Sequence, residues 1–283
     1  MTEDIKHIHS YYSPNDLYNK IIDGLAKIGK DLSKVTVDDL QPVDEFHIRG
    51  DTATRELIEL AEFTPEMHIL DVGCGIGGST RRLAQETGCR VTGIDLSDEY
   101  IDTAKRLTQL LKMQERVSFD ACSALELPFD DNFFDGVWSL QMNMNVEDKL
   151  AWMKETCRVL KPGGRAVLYE VCGNTNTPLY FPVPWAQDSS MSFLLPANLF
   201  RDVITAAGFD IEVWHDKTDL AKKAFANAKE PVGEPNLPIL GVYLLVGNDI
   251  QTKAYNLHRN LNEDRVSLIE TAVVKPVFAA TGI

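Results

Sequence analysis

Residues Met67 to Ala84 read MHILDVGCGIGGSTRRLA, and this stretch decides the fold. It opens with a short apolar run, Ile69, Leu70 and Val72, interrupted only by Asp71. Four glycines follow at Gly73, Gly75, Gly77 and Gly78, and a helix-like segment starts at Ser79. The pattern is strand, glycine turn, helix. Glycine suits a backbone that turns with positive φ or that a ligand must touch. Gly73, Gly75 and Gly78 fit G-x-G-x-x-G, a weak signal alone. After the helix, Cys89 to Leu96 reads CRVTGIDL, a second strand that ends in Asp95. Asp95 and its neighbour Leu96 lie about 20 residues beyond the central glycine, where an acid meets the ribose hydroxyls of a bound nucleoside.

Composition narrows the class. The chain has 283 residues, enough for one large domain or a domain with an insertion. Its formal net charge of −14 disfavours non-specific nucleic-acid binding, because phosphates would be repelled. No apolar run approaches a membrane span, and the first residues, MTEDIKHIHS, lack the basic and apolar regions of a signal peptide. Cys74, Cys89, Cys122, Cys157 and Cys172 are scattered, with no C-x-x-C, which suggests free thiols in a reducing compartment. The expectation is a cytoplasmic protein, monomer or homodimer, with no nucleic-acid or membrane partner. No Cys/His cluster offers a metal site.

Ahead of the decisive stretch, Leu17, Ile21, Ile22, Leu25 and Ile28 recur at helical spacing, and Tyr11 and Tyr12 lead into them. DLSKVTVDDLQPVD reads as a polar connector. Asp51 is placed to cap a helix carrying Leu57, Ile58 and Leu60. Beyond Asp95, Ser97 caps a helix with Asp98 and Glu99 in its first turn. Strands follow at RVSFDA, FDGVWSLQ and RAVLYEVC. The segment 172–197 then holds Pro178, Pro182, Pro184 and Pro196 among Tyr180, Phe181, Trp185 and Phe193. Prolines at that density forbid a regular helix or central strand. The segment is too long and aromatic for a plain connector, and it reads as a cap on the acceptor site. FDIEVWHDKT is the sixth strand, LGVYLLV (Leu240 to Val246) a closing apolar strand, and the tail from Ala254 looks helical. His215 and His258 read as structural.

The cofactor type turns on Asp71. A carboxylate two residues before the first glycine would repel a pyrophosphate, but it suits a cationic ligand or a turn-stabilising role. With LPFDDNFFDGVWS (Leu127 to Ser139) and RVLKPGGRAVL (Arg158 to Leu168), D-V-G-C-G-x-G resembles the class I S-adenosylmethionine-dependent methyltransferases over about residues 55 to 175. The resemblance implies an α/β fold: a doubly wound, Rossmann-like sheet of seven strands, the seventh antiparallel, with an N-terminal lid (1–50), a methyltransferase domain (51–283) and an aromatic insertion. It implies S-adenosylmethionine as cofactor, held by Asp71, Gly73, Gly75, Asp95, Leu96 and Gln141. It aligns Ser123-Ala124 with the position where relatives carry an adenine-binding aspartate and alanine. A serine hydroxyl there accepts more weakly, or Asp120 reaches over instead.

The acceptor end is read in the same way. Ubiquinone-type relatives show a histidine or asparagine before V-x-D, which here is Asn145 before Val146, Glu147 and Asp148. FHIRG and YFPVPWA resemble the subgroup that methylates sarcosine and dimethylglycine. That places His47, Arg49 and Gly50 near the methionine end of the cofactor, with His47 as the motif-adjacent base. It also makes Trp185 the acceptor-site aromatic, suited to a methylamine by cation–π attraction. Each has a plainer reading: His47 as a capping residue, Trp185 as filler of its own loop. The implied activity is methyl transfer to a small acceptor, the amine of sarcosine or dimethylglycine. A small thiol, or a sugar or natural-product hydroxyl, is the alternative acceptor, and a non-catalytic S-adenosylmethionine-binding protein the alternative class.

Overall fold

The computed structural model describes residues 16–174 and 177–277, so Tyr11 and Tyr12 lie outside the described residues. The strands are β1 (His68–Val72), β2 (Arg90–Asp95), β3 (Val117–Ala121), β4 (Phe134–Leu140), β5 (Leu160–Gly173), β6 (Asp210–Asp216) and β7 (Val266–Val274). They form one seven-stranded sheet in the order β3-β2-β1-β4-β5-β7-β6. β1 to β5 pair in parallel, and β7 runs antiparallel between β5 and β6. The strand order reverses beside β1, where β2 pairs on one side and β4 on the other, so a crevice opens at their carboxyl ends.

The helices are α1 (Leu17–Lys27), α2 (Val37–Asp44), α3 (Gly50–Ala61), α4 (Gly78–Thr87), α5 (Asp98–Leu110), α6 (Lys149–Val159), α7 (Ala197–Ala206), α8 (Thr218–Ala224), α9 (Tyr243–Val246) and α10 (Ile250–Asn262). Alternation along the strands feeds both faces of the sheet. Ile69, Trp138, Val167 and Leu268 join one apolar core, and Leu70, Val137, Leu168 and Ile269 join the other. A third core forms where Leu17, Ile21, Leu25, Leu40 and Val43 meet Ile76 of the glycine loop, Tyr100 and Leu107 of α5, and Leu245.

Several expectations are corrected. The presumed polar connector contains α2, which starts with a reciprocal cap between Thr36 and Asp39 and buries Val37, Leu40 and Val43. Asp51 does not cap α3. Arg49 holds the cap position at φ 72°, and Asp51 sits in the first turn, 2.8 Å from Arg55 and 3.2 Å from Arg82. Leu240 to Val246 is not the closing strand: it ends in the short α9 and packs on α1, with Leu240 against Gly24. The closing strand is β7, drawn from the tail expected to be helical. Its β-branched residues Val266, Ile269, Thr271, Val273 and Val274 fit a strand buried on both faces.

The lid joins the sheet through charge. The Arg81 guanidinium on α4 makes two 2.8 Å hydrogen bonds to the Asp44 carboxylate at the end of α2, with both side chains buried. Arg81 also donates to the Ile76 carbonyl in the glycine loop at 2.9 Å. A Cβ on Gly78 would fall 2.3 Å from the Asp44 carbonyl, so this glycine allows α2 and α4 to touch. Arg81→Leu should leave the Asp44 charge buried and unpaired, lowering stability by about 3–5 kcal/mol in denaturant unfolding. The double change Arg81→Leu, Asp44→Leu should recover part of that loss.

Candidate functional site: a crevice at the glycine loop under a cap

The crevice holds a cavity of about 340 Å³, bordered by the glycine loop, the ends of β2 and β4, the loop after β3, and the cap. At one end Gly73 and Cys74 both donate to the Ile94 carbonyl at 2.9 Å, which fixes the loop against β2. Gly75 has φ 55° and its N–H donates to Asp95 Oδ2 at 3.0 Å. The second Asp95 oxygen accepts from Ser97 N–H at 2.9 Å. These two bonds hold the Asp95 carboxylate at the lip of β2. Nothing lies within 4 Å of where a Gly75 Cβ would stand, so the main chain borders open space that a ligand can fill. Leu96, Ser123 and Ala124 line the same end. The Ser123 hydroxyl accepts from Leu125 N–H at 3.2 Å, shaping its turn. Asp120 is exposed and not on the cavity wall.

Asp71 does not reach the cavity wall. It lies beneath the loop, accepting from Thr80 Oγ1 at 2.6 Å and Ser79 Oγ at 3.3 Å. Burial pushes its carboxyl up to about 7 against those two hydrogen bonds. It is the turn-stabilising residue of the two readings considered, tying β1 to the first turn of α4.

Gln141, just past β4, lines the cavity, and its side-chain Oε1 accepts from Ile48 N–H at 3.2 Å. Asn145 also lines the cavity, but its amide nitrogen donates to the carbonyls of Trp185 (3.0 Å) and Met191 (2.9 Å). The amide therefore holds the cap in place instead of presenting its donors to an acceptor. Two more bonds complete this clasp. Phe193 N–H donates to the Met144 carbonyl at 2.8 Å. The buried Lys149 ammonium donates to the carbonyls of Val146, at 2.5 Å, and Phe193. Burial lowers Lys149 to about 8. Below the clasp, Glu170 on β5 accepts from Asn143 N–H at 3.0 Å, and burial raises its carboxyl to about 8. Trp185 lines the cavity with its ring N–H bonded to Ser192 Oγ at 3.0 Å.

His47 is on the wall and buried, and burial lowers its ring to about 4. Its Nε2 lies 3.1 Å from the Gly50 carbonyl and 3.0 Å from Thr54 Oγ1, which itself donates to Glu45 at 2.7 Å. Since Thr54 has given its hydrogen to Glu45, Nε2 carries the ring proton. A neutral imidazole with so acidic a conjugate acid is a weak base, which counts against the general-base expectation. Arg49 is off the wall: its guanidinium makes a two-pronged ion pair with Glu56 on α3, one arm at 2.9 Å. With a left-handed backbone at Arg49, φ 72°, the side chain lies on α3 and off the cavity wall.

The excursion 217–265 between β6 and β7 is the third part of the cap, and it includes the start of the tail, with Asn256, Arg259, Asn260 and Arg265, that the sequence offers either as closing over the body or as a subunit contact. Leu245 from α9 lines the cavity. Asn260 on α10 clamps the backbone of Tyr180, accepting from its N–H at 2.9 Å and donating to its carbonyl at 3.0 Å. Asn256 donates to the Pro182 carbonyl at 3.0 Å, and the Arg259 guanidinium lies 3.4 Å over the Tyr180 ring. The polar positions Asn256, Arg259 and Asn260 in a helical tail were the available signal.

Comparison with known proteins fits this geometry. The family model for a methyltransferase domain matches residues 70–168. That stretch is similar to methyltransferase domains, and the solved structures it resembles share its fold. Methyltransferase GfsG of Streptomyces halstedii is 32% identical over 133 residues, 47% of this chain and 48% of that protein, so the chain spans about half the length of this curated relative. The geranyl diphosphate C-methyltransferase of Streptomyces coelicolor has the same fold, with a TM-score of 0.69 at 19% identity over 97% of this chain and 98% of its own. A candidate sarcosine dimethylglycine methyltransferase of Galdieria sulphuraria gives a TM-score of 0.62 at 15% identity, covering 80% and 84%. Other relatives are O-methyltransferases and a phosphoethanolamine N-methyltransferase, so likeness does not choose the acceptor.

No helix among the described residues is long and apolar enough to cross a membrane. For Asp71 the folded value lies above the ordinary one, so its contribution to stability is present at low pH and lost as pH rises through about 7. Asp71→Asn keeps an acceptor for Thr80 and should flatten the fall in unfolding free energy between pH 4 and 8.

Proposed function

We propose that this protein transfers the methyl group of S-adenosylmethionine to a small, largely apolar acceptor that carries no anionic group. The observation that carries this reading is the make-up of the wall. Much of it is apolar and aromatic, with Phe46, Leu140, Met144, Trp185, Phe193 and Leu245. Its acidic residues are Asp44, Asp95, Glu147 and Asp148, and among the described residues no lysine or arginine lines it. A carboxylate or phosphate brought there would be desolvated with no lysine or arginine of the wall to pair with it. A phenol, an alcohol or a neutral amine meets no such penalty.

The groups that would hold the cofactor fit it. The open main chain at Gly75 and the fixed carboxylate of Asp95 suit a ribose, and the acidic wall suits a cation. S-adenosylmethionine supplies an electrophilic methyl on a sulfonium. The chain then needs to hold the acceptor in line, exclude water and leave the nucleophile's lone pair free. The cap does the first two: Trp185 and Phe193 are held over the cavity by Asn145 and Lys149.

Sarcosine and dimethylglycine are the second reading, supported by Trp185, whose ring suits a methylamine. The reactive form of either is the free amine, which leaves the molecule with a bare carboxylate, and the wall disfavours that form. Labelled S-adenosylmethionine with a panel of phenols, alcohols, thiols, neutral amines, sarcosine and dimethylglycine tests both. Label transfer to uncharged acceptors, with the two amino acids inert, is the expected result. Efficient transfer to dimethylglycine would overturn the charge argument, and cofactor binding without any transfer would favour a non-catalytic binder. Asp95→Ala should weaken cofactor binding by about 1–3 kcal/mol in calorimetry.

A further inference from the structure

Gln141 holds an unusual position. It follows the last residue of β4 with φ 53°, a left-handed backbone that a non-glycine residue adopts at a cost. Its backbone N–H still donates to the Tyr169 carbonyl at 2.8 Å, so the twist is anchored to β5. The side chain crosses to the lid, where Oε1 accepts from Ile48 N–H at 3.2 Å. A backbone N–H can only donate, so the amide orientation is settled: oxygen towards Ile48, nitrogen away from it. That nitrogen, Nε2, is buried and has no hydrogen-bond partner in the protein. A buried amide nitrogen without an acceptor is costly, and the residue lines the cavity, so a ligand oxygen is the partner that would satisfy it.

The position tells which oxygen. A Cβ on Gly73 would fall 2.4 Å from Met142 Cγ, so the side chain of the residue after Gln141 lies against the first glycine of the loop. Asp95 and Ser123, the ribose and adenine candidates, are at the other side of that loop. The part of S-adenosylmethionine left for Gln141 is its amino-acid end, which carries a carboxylate. Arg49, the charged residue nearest in sequence to the lid contact, is held by Glu56.

We infer that the Gln141 amide is a two-sided latch. Nε2 donates to the carboxylate of the cofactor's amino-acid end, and Oε1 holds Ile48, so a cofactor that carries that end tightens the lid contact already present. This rests on the cofactor reading above and adds to it a positioning role and a ligand-sensing contact. The wall's lack of cations is compatible with it, because the ammonium of the same amino-acid end offsets the carboxylate.

The test compares two ligands on the full chain. S-adenosylhomocysteine has the amino-acid end; 5′-methylthioadenosine lacks it. Gln141→Glu keeps an acceptor for Ile48 but faces the ligand carboxylate with another carboxylate. Calorimetry should show S-adenosylhomocysteine weakened by about tenfold or more in this variant, with methylthioadenosine changed by less than about twofold. Hydrogen exchange at the Ile48 amide should slow on adding S-adenosylhomocysteine to the natural protein, and not on adding methylthioadenosine. Gln141→Met, which has neither polar atom, should weaken S-adenosylhomocysteine and also speed Ile48 exchange without ligand. Equal losses for both ligands, or an unchanged S-adenosylhomocysteine affinity in Gln141→Glu, would overturn the latch. If the natural protein bound neither ligand, the cofactor reading itself would fall first.

Discussion

The buried pair of Arg81 and Asp44 is the constraint on which the site depends. Two charges withdrawn from water cost more than they usually return, so such a pair is weak evidence of stabilisation and better evidence of specification. Here it specifies how the lid meets the glycine loop. Arg81 belongs to the helix that the loop starts, and the same guanidinium takes the Ile76 carbonyl from the loop and the carboxylate from α2. Burial raises Asp44 and the neighbouring guanidinium opposes that rise. From below, Asp71 grips Thr80 in the first turn of the same helix. The glycine loop is free to expose its main chain to a ligand because its surroundings are fixed from both sides.

The cap obeys a different rule. It is built from irregular chain, which carries backbone donors and acceptors that no sheet or helix satisfies. Side-chain amides and a lysine supply the missing partners. Asn145 and Lys149 reach from the loop after β4 and the start of α6, and Asn256 and Asn260 reach from α10, each aimed at a carbonyl of the cap. Residues that look like catalytic candidates by type are therefore largely engaged in holding Trp185 and Phe193 over the cavity.

What was legible in the sequence was what local chemistry determines. The glycine turn and Asp95 meet at one end of the cavity through contacts confined to adjacent strands, and their spacing shows it. Ser97 caps α5 as its type and position predict. Other features needed partners distant in the chain. Arg49 pairs with Glu56 on α3, and Asn145 serves the cap because Trp185 is brought over it. Two apolar runs could each have closed the sheet, Leu240 to Val246 and Val266 to Val274. The one with β-branched residues and no glycine is the strand, and the leucine-rich one turns on Gly241 and packs on α1. The capping pair Thr36 and Asp39 announced α2, but Pro42 inside the helix obscured it.

The charge on the wall bears on how a catalytic cycle would run. Asp44 is neutralised by Arg81, and Asp71 is buried behind the loop with a raised carboxyl. Asp95, Glu147 and Asp148 remain to set the potential of the cavity. A sulfonium is attracted to such a wall, and methyl transfer abolishes its charge while the carboxylates stay. The same field that gathers the charged cofactor therefore holds its uncharged thioether product less firmly. An acceptor that arrived with an anionic group would weaken that attraction at the moment of transfer. Under the proposed function, cofactor capture, acceptor selection and product release would draw on one arrangement of carboxylates, with the lid contact at Ile48 and Gln141 at the β4 side of the glycine loop and Asp95 at the β2 side.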